Sequence, residues 1–301
     1  VGQATLFVQR QGRKLRELTY RFESDGLASR DLTLLAEHLT RGGITALAYA
    51  QEPDSVLFCV RADGTLLALT YEPDQDVIAW SRMDTAGSFE ALACVPGAGR
   101  DQLWAVVRRL VDGAEKRFVE VLDPGLTPER DAAHGFFVDC GLTYEGEPAA
   151  TGLAHLAGET VQVLADGAVL PPRQVDEGGG IDLDRPASVV HAGLGYQSAL
   201  TTMRLETGQG ESQTRKKRVT QVAVRFYRTL GGSLGAPDGP VETMHFRASG
   251  GAMDRAPELW SGDRVVKFPQ GSNTDGLVRI TADQPLPMTV LLVSPVVAVQ
   301  S

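Results

Sequence analysis

A repeated pattern of short β-strands dominates the first part of the sequence and limits the folds that the chain can adopt. Residues 54–80 predict two strands joined by an Asp63-Gly64 turn, followed by a third strand that ends in Trp80. A similar unit with an Asp112-Gly113 turn follows after about 45 residues. Glycine supplies the positive φ that tight hairpin turns require. Tandem units of this kind predict an all-β, partly propeller-like fold rather than a pocket enzyme.

The two units correspond strand by strand, and their spacing matches one propeller blade of four short strands. Val77–Arg82 supplies the outer strand of the first repeat. Two blades and part of a third cannot close a ring, so we expect further blades upstream of Val1. A domain seldom opens within a strand, and the strand-like Ala4–Val8 at the start supports that expectation. The corresponding strands are Ile44–Tyr49 with Phe89–Cys94, Val56–Arg61 with Gln102–Arg108, and Leu66–Tyr71 with Arg117–Leu122.

One helix is predicted among these strands, over residues 31–40. Asp31 is a suitable N-cap, and Leu32, Leu35 and Leu39 would fall on one helical face. A glycine pair ends the segment. The helix is therefore expected as an insertion between β units.

The pattern divides the chain into three regions. Residues 1–128 contain the propeller-like repeats with the inserted helix, and Pro124–Pro128 marks their end. Short strands separated by glycines predict a small β-barrel or sandwich over 129–206. After a polar segment at 207–214, residues 207–301 predict a C-terminal β-sandwich layer. Its expected elements include strands at Val219–Thr229 and Met244–Ala248 and a loop at Gly231–Gly239, while Ile181–Leu183 is an expected strand of the middle region.

Charge and hydropathy exclude several classes of protein. A net charge of −9 argues against a general nucleic-acid-binding surface. The one basic run, Arg215–Arg218, is interpreted as a solvated strand entrance, with a phosphate or acidic-partner contact as the alternative. No apolar run reaches the roughly 18–20 residues needed to span a bilayer. The apolar segment from Met288 is broken by Pro295 and predicts buried strands.

The cysteines predict a reduced protein. Cys59, Cys94 and Cys140 are far apart, and none belongs to a CxxC pair. Cysteines that alternate with apolar residues in strands behave as small hydrophobic residues. We therefore expect reduced, buried thiols, with zinc or disulfide use as the alternative. No secretory signal is visible, and synthesis in a reducing cytoplasm is the simplest interpretation.

No motif that would carry catalysis was found. Phosphate-binding, dinucleotide-binding, HExxH and GxSxG patterns are absent. The acidic segment 176–184 could bind calcium, but an acidic turn between strands is favoured. Glu72, Asp74 and Asp76 could serve glycoside hydrolysis if they faced one cleft, but a solvated turn is again favoured. We therefore predict no catalytic, cofactor-binding or metal-binding residues and no enzymatic activity.

Histidines and aromatic residues also have structural interpretations. The five histidines do not occur at metal-ligand spacing, and His191 is expected to be hydrogen-bonded or exposed. Phe58, Tyr71, Trp80 and Trp104 fall within the repeats, where packing between blades is their ordinary role.

Several strings, taken in order, resemble a family of large hub proteins in bacteriophage tails. These are the tail nozzle or tubular proteins of short-tailed phages and the related packaged-DNA stabilisation proteins, often found in prophages. The resemblance extends through most of the chain, and none of its strings is a catalytic motif. The strings are Leu6–Leu18, Asp31–Leu39, Arg61–Tyr71, Asp76–Arg82, Gly141–Tyr144 and Gly152–Val161.

The resemblance implies a structural role in the virion tail after synthesis in the bacterial host cytoplasm. Members of this family are longer at the N-terminus, so the chain resembles their C-terminal portion. Copies would form a ring that joins tail parts, contacts other tail proteins such as an adaptor, fibres or spikes, and bounds the DNA exit channel. An acidic wall would repel phosphates, so passing genomic DNA would not be bound specifically. No membrane span is implied.

Two alternatives remain at the level of sequence. The repeats suit a propeller-type binding module for a host glycan or protein as well as they suit a tail protein. An enzyme that degrades glycans ranks behind both, because no convergent acid pair can be named.

Overall fold

The computed structural model describes residues 1–2, 4–146, 151–206, 214–247, 250 and 256–299. These residues form six antiparallel sheets and one short α-helix, which confirms the predicted all-β class. The chain divides into two compact units, Val1–Asp123 and Pro124–Ser301.

The first unit contains three sheets built from strands that follow one another along the chain. Their strands are β1 (Thr5–Val8), β2 (Leu15–Arg21), β3 (Gly26–Asp31), β4 (Ile44–Ala50), β5 (Val56–Arg61), β6 (Leu66–Glu72), β7 (Val77–Met83), β8 (Ser88–Pro96), β9 (Asp101–Val111) and β10 (Ala114–Val121). The first sheet has the order β1-β2-β3, the second β4-β5-β6-β7 and the third β10-β9-β8. This is the meander order that the repeated sequence pattern predicts.

The second sheet is covered on both of its faces. Leu57 of β5 belongs to one core with Leu15 of β2. The next residue, Phe58, belongs to another core with Leu103 of β9. Because successive side chains of a strand point to opposite faces, the second sheet lies between the other two. This face-to-face stacking of meander sheets is propeller-like, and within residues 1–123 the first and third sheets lie at the ends of the stack.

The two Asp-Gly turns join the strands as predicted, but their surroundings differ. Gly64 has φ +80° between β5 and β6, and Gly113 has φ +71° between β9 and β10. A Cβ atom added to Gly64 would lie 2.5 Å from Ser88 Cβ. A Cβ atom added to Gly113 would have no neighbour within 4 Å. The two glycines therefore separate the effect of backbone conformation from the effect of space.

We expect Gly64→Ala to lower the free energy of unfolding by about 2–3 kcal/mol, because it combines an unfavourable φ with a steric clash. Gly113→Ala should cost about 1 kcal/mol, from the positive φ alone. Urea unfolding of both variants, followed by tryptophan fluorescence, measures the two losses. Equal losses would contradict a clash at Ser88.

The predicted helix over 31–40 is wrong in its extent. Asp31 ends β3, and the helix α1 comprises only Glu37–Thr40. The Asp31 carboxylate accepts hydrogen bonds from the N–H of Thr33 at 2.9 Å and from its hydroxyl at 2.6 Å. Aspartate side chains that bond two residues ahead close a turn of this kind. The residue that looked like a helix N-cap therefore caps a turn.

Tertiary contacts explain why the helix does not begin earlier. The indole Nε1 of Trp80 donates a hydrogen bond of 2.8 Å to the carbonyl oxygen of Leu32. That carbonyl oxygen therefore accepts a hydrogen bond from β7, whereas in a helix it would accept one from the backbone N–H four residues further along the chain. Leu32 is buried, whereas Leu35, expected on the same face, is 94% exposed.

The second unit begins with an open four-stranded sheet. Its strands are β11 (Asp139–Glu145), β12 (Thr160–Ala165), β13 (Ala168–Gln174) and β14 (Val189–Leu194). They lie in the order β11-β14-β12-β13, so the last strand in the sequence is inserted between the first two. None of the sheets in the described residues closes on itself, and the barrel alternative is therefore wrong. Residues 181–183, an expected strand, form none.

The rest of the second unit is a sandwich of two sheets. Its strands are β15 (Ser198–Thr201), β16 (Lys217–Thr229), β17 (Ser233–Gly235), β18 (Val241–Thr243), β19 (Trp260–Lys267), β20 (Arg279–Ala282) and β21 (Thr289–Val299). One sheet has the order β19-β16-β21 and the other β15-β20-β17-β18. Phe226 of the first and Ile280 of the second share one core, which makes the two sheets a sandwich.

The sandwich differs from the sequence prediction in three details. Strand β15 precedes the predicted boundary at residue 206 but belongs to this sandwich. Strand β17 lies within residues 231–239, which were predicted to form a loop. Residues 244–247 form no strand, and Ala248 and most of the polar segment 207–214 lie outside the described residues. Met244 and Phe246 are nevertheless buried in the core, so their alternation reflects burial rather than strand pairing.

Candidate assembly surface

The outer face of the third sheet is apolar and exposed. In β9, Leu103 and Val107 are buried, whereas Leu110 is 68% exposed on the opposite face. Val119 of β10, directly opposite Val106, is 71% exposed. Directly opposed side chains lie on one face of a sheet. We name this surface the third-sheet face; it comprises Ala93, Val95, Trp104, Val106, Leu110, Val119 and Val121.

Four charged residues form a network on the same face. Arg117 donates two hydrogen bonds to the Glu90 carboxylate, at 2.8 and 3.2 Å. Arg108 lies 3.4 Å from Glu90 and donates a 2.5 Å hydrogen bond to Glu115. The hydrogen bond from Arg117 lowers the pKa of Glu90, which keeps this carboxylate ionised at neutral pH. Its two positive and two negative charges cancel, and the face carries no net charge.

At the other end of the stack, the outer face of the first sheet is also exposed. Tyr20 and Leu27 are paired across β2 and β3 and are 57% and 70% exposed. Phe7 lies opposite Arg16, whose guanidinium donates hydrogen bonds to the hydroxyl and carbonyl oxygens of Ser29. We name this surface the first-sheet face; it comprises Phe7, Leu18, Tyr20 and Leu27. Contiguous exposed apolar side chains are typical of interaction sites.

A buried ion pair holds the inner side of the third sheet. The side chain of Arg109 is 1% exposed and donates two hydrogen bonds of 2.7 Å to the Glu120 carboxylate. It also donates to the Thr85 hydroxyl at 2.6 Å and to the Ala86 carbonyl at 3.2 Å. These contacts tie β9 and β10 to the segment before β8. They fix the sheet whose outer face is exposed.

The acidic segments considered for chemistry form turns in the structure. Asp176 accepts a 2.8 Å hydrogen bond from the N–H of Gly180, and Asp184 pairs with Arg173. Asp74 lies in a 3-10 turn, and the left-handed Asp76 follows it, exposed to solvent. Within the described ranges there is no group of three or more His, Cys, Asp or Glu that could hold a metal ion.

The basic run differs from its solvated interpretation at one position. The Lys217 side chain is fully buried, whereas Lys216 and Arg218 are exposed. Its ammonium donates a 3.1 Å hydrogen bond to the Thr274 carbonyl and lies 3.8 Å from the Glu206 carboxylate. Burial of this lysine follows from its position on the inward side of β16, where the strand bridges to residue 273. Sequence alone gave no sign of it, because its neighbours carry the same charge.

His191 and the cysteines have structural surroundings. The Nε2 of the buried His191 lies 2.8 Å from the Ala133 carbonyl, and Nδ1 lies 2.8 Å from the Thr143 hydroxyl. All three cysteines are free thiols. Burial raises the pKa of Cys59 to about 12, which leaves it protonated and unreactive at neutral pH. Cys94 and Cys140 are only partly buried.

A polar depression of about 290 Å³ lies beside the first sheet, lined in part by Lys14 and Glu37. Lys14 lies 2.7 Å from Asp31 and 3.1 Å from Glu37. Burial acts to raise the pKa of Asp31, but hydrogen bonds from Lys14 and Thr33 outweigh it and lower the pKa to about 2. The depression is therefore bordered by an ion pair that persists into acid.

This lowered pKa predicts a pH dependence of stability. An aspartate whose pKa falls from an ordinary value of about 3.9 to about 2 on folding stabilises the protein by about 2 kcal/mol above pH 4. The contribution is lost as the pH falls from about 4 towards 2. We expect Asp31→Asn to be less stable than the parent at pH 7, with the difference shrinking below pH 4. Urea unfolding of the parent and of Asp31→Asn at pH 7 and below pH 4 measures this difference in stability. A difference that is the same under both conditions would contradict the lowered pKa of Asp31.

Sequence reasoning did not identify the third-sheet face. The sequence predicts that Trp104 packs between blades. Trp80 does pack against the core that contains Leu15 and Leu57, but Trp104 points outward and is 36% exposed. The signal was present in β9, whose residues are apolar at odd and even positions alike. A strand of that kind needs packing partners on both of its faces, and the described residues cover only one face of β9.

Among the described residues, no helix is long and apolar enough to cross a membrane. A comparison with known protein families found no family model that matches the chain, and a comparison with curated proteins found no significant similarity.

Proposed function

We propose that the protein is a structural subunit of a phage or prophage tail, a hub or nozzle component that assembles with copies of itself into a ring. The ring would join tail parts and bound the channel through which DNA leaves. The observation that carries this proposal is the pair of exposed apolar faces at the two ends of the sheet stack. A subunit with two separate faces can contact one neighbour on each side, as a ring requires.

The position of the family-like strings supports the same role. Arg61–Tyr71 comprises the turn between β5 and β6 and most of β6, and Asp76–Arg82 comprises most of β7. Both lie in the sheet that is covered on its two faces. They are positions that determine the fold and the stacking, which is what a tail protein would have to preserve.

Charge supports a passive relation to DNA. With a net charge of −9, the protein repels a phosphate backbone at long range. A wall that does not bind the genome lets it pass without retention. In this proposal the other contacts are with tail proteins, namely an adaptor, fibres or spikes, and the protein resides in the virion tail after synthesis in the host cytoplasm.

The test is the location of the protein. Mass spectrometry of purified particles should detect the chain in fixed stoichiometry with other tail proteins, and immunogold labelling should mark the tail. Particles made without the gene should lack a complete tail or lose DNA. Absence of the chain from purified particles of the phage or prophage that encodes it would overturn the proposal.

A glycan-binding module is the second candidate, and one observation favours it. Trp104 is 36% exposed on the outer face of the third sheet, with its indole Nε1 3.3 Å from the Gln102 side-chain oxygen. An aromatic ring with a neighbouring polar group can stack on a sugar. Retention on host polysaccharide that is lost in Trp104→Ala would support this candidate, and shortened polysaccharide would indicate a hydrolase instead.

A further inference from the structure

We propose that the third-sheet face of one copy packs against the first-sheet face of a second copy, head to tail. This inference rests on the proposed ring assembly and names the two surfaces that form it; the third sheet of a second copy would take the place on the first-sheet face that the repeats assign to a blade upstream of Val1. The contact would be heterologous, because the two surfaces differ in sequence and lie on opposite ends of the stack.

Continuity with the packing inside the chain supports this partner. The first sheet packs on one face of the second, and the third sheet packs on the other. Each of these contacts joins apolar faces of neighbouring meander sheets. A second copy placed with its first sheet on the third-sheet face repeats that contact, with sheets about 10 Å apart.

The chemistry of the two faces fits a contact of this kind. The third-sheet face presents branched aliphatic side chains and Trp104, and the first-sheet face presents Phe7, Tyr20 and Leu27. Tryptophan and tyrosine are enriched among the residues that dominate binding at interfaces. The charges at the third-sheet face are already paired with one another, and Arg16 is bonded to Ser29. Docking would therefore bury these four charges as pairs, and it would keep the Arg16 guanidinium hydrogen-bonded to Ser29.

The size of the face explains why a ring would form rather than a dimer. Three strands of about eight residues cover roughly 14 Å by 27 Å, or about 400 Å². Stable interfaces bury about 800 Å² on each partner. A single contact of this size is weak. Closing a ring gives every copy two such contacts, and the last of them forms within one assembly at high effective concentration.

The test uses residues 1–301 and two single variants, Val119→Asp on the third-sheet face and Leu27→Asp on the first-sheet face. Sedimentation velocity should show that the parent associates as its concentration rises. Each variant should reduce the association constant at least ~10-fold, because a carboxylate would be buried without a partner. An equimolar mixture of the two variants should form two-chain species and nothing larger, since each chain keeps one intact face.

The matched control is Val265→Asp, which places the same charge at a position that is 61% exposed on β19. It should associate like the parent, and far-ultraviolet circular dichroism should show all variants folded. A monomeric parent would overturn the inference. So would a Leu27→Asp variant that associates like the parent, because the contact would then join other surfaces. Loss of association in the control would overturn it as well.

The outcome is separable from the proposed function. A chain that is found in virions but shows no head-to-tail association overturns this inference alone. A chain that associates through these faces but is absent from virions overturns the tail function alone.

Discussion

Replacing Phe226 by alanine should lower the free energy of unfolding of the C-terminal sandwich by about 3–5 kcal/mol. Phe226 is 1% exposed, and its ring meets the ring of Phe246 edge to face at a centroid distance of 5.3 Å. The substitution therefore removes a large buried side chain and leaves a cavity between the two sheets. It also removes an aromatic contact that contributes beyond its buried area. Urea unfolding monitored by circular dichroism measures the loss.

Tyr227→Ala is the matched control for this substitution. The tyrosine is the next residue of β16, points to the other face and is 48% exposed. We expect a loss of less than about 1 kcal/mol, because little buried surface is removed. Similar losses for Phe226→Ala and Tyr227→Ala would show that the two sheets do not share the core described for them.

Replacing Arg109 by methionine should destabilise the first unit by about 3 kcal/mol. The substitution keeps the apolar stem but removes the guanidinium, which leaves the Glu120 carboxylate and the Thr85 hydroxyl without this donor. Breaking one side of a buried ion pair costs about 3–5 kcal/mol, and Glu120 is 19% exposed, so the lower end applies. Thermal and urea unfolding of the variant test this value.

The third sheet supplies its own control for that prediction. Arg117 makes a comparable two-bond contact with Glu90, but its side chain is 60% exposed. Water and salt screen such a pair, so Arg117→Met should cost far less stability than Arg109→Met. A double variant, Arg109→Met with Glu120→Leu, should recover part of the stability lost in Arg109→Met. Equal losses for the two arginines would contradict the importance of burial here.

The strands of the first unit could be predicted from the sequence because their signals are local. Alternating apolar residues and the Asp63-Gly64 and Asp112-Gly113 turns determine strand positions without knowledge of distant contacts. The helix over 31–40 was predicted from equally local signals, and it was wrong because a distant residue intervened. Trp80 donates a hydrogen bond to the carbonyl oxygen of Leu32, and no sequence pattern within ten residues of position 32 predicts that hydrogen bond.

The candidate surface was harder to predict, because exposure depends on what lies opposite a strand. The residues of β9 predict two buried faces, but only the structure shows that the face bearing Trp104 is open. Lys217 gives the converse case: its charge predicts exposure, and its place on the inner side of β16 buries it. Periodicity assigns a residue to one side of a strand. It does not say what covers that side.

The double coverage of the second sheet has a consequence for how such a protein can change over generations. Its strands β5 and β6 have no solvent face, so substitutions there are constrained by packing on both sides. The outer residues of β8–β10 and of β1–β3 are not constrained by packing within the chain. Mutations that alter what the protein attaches to can accumulate on these outer strands while the interior sheet stays the same. The strands that maintain the fold are therefore different from the strands on which the binding surfaces can change.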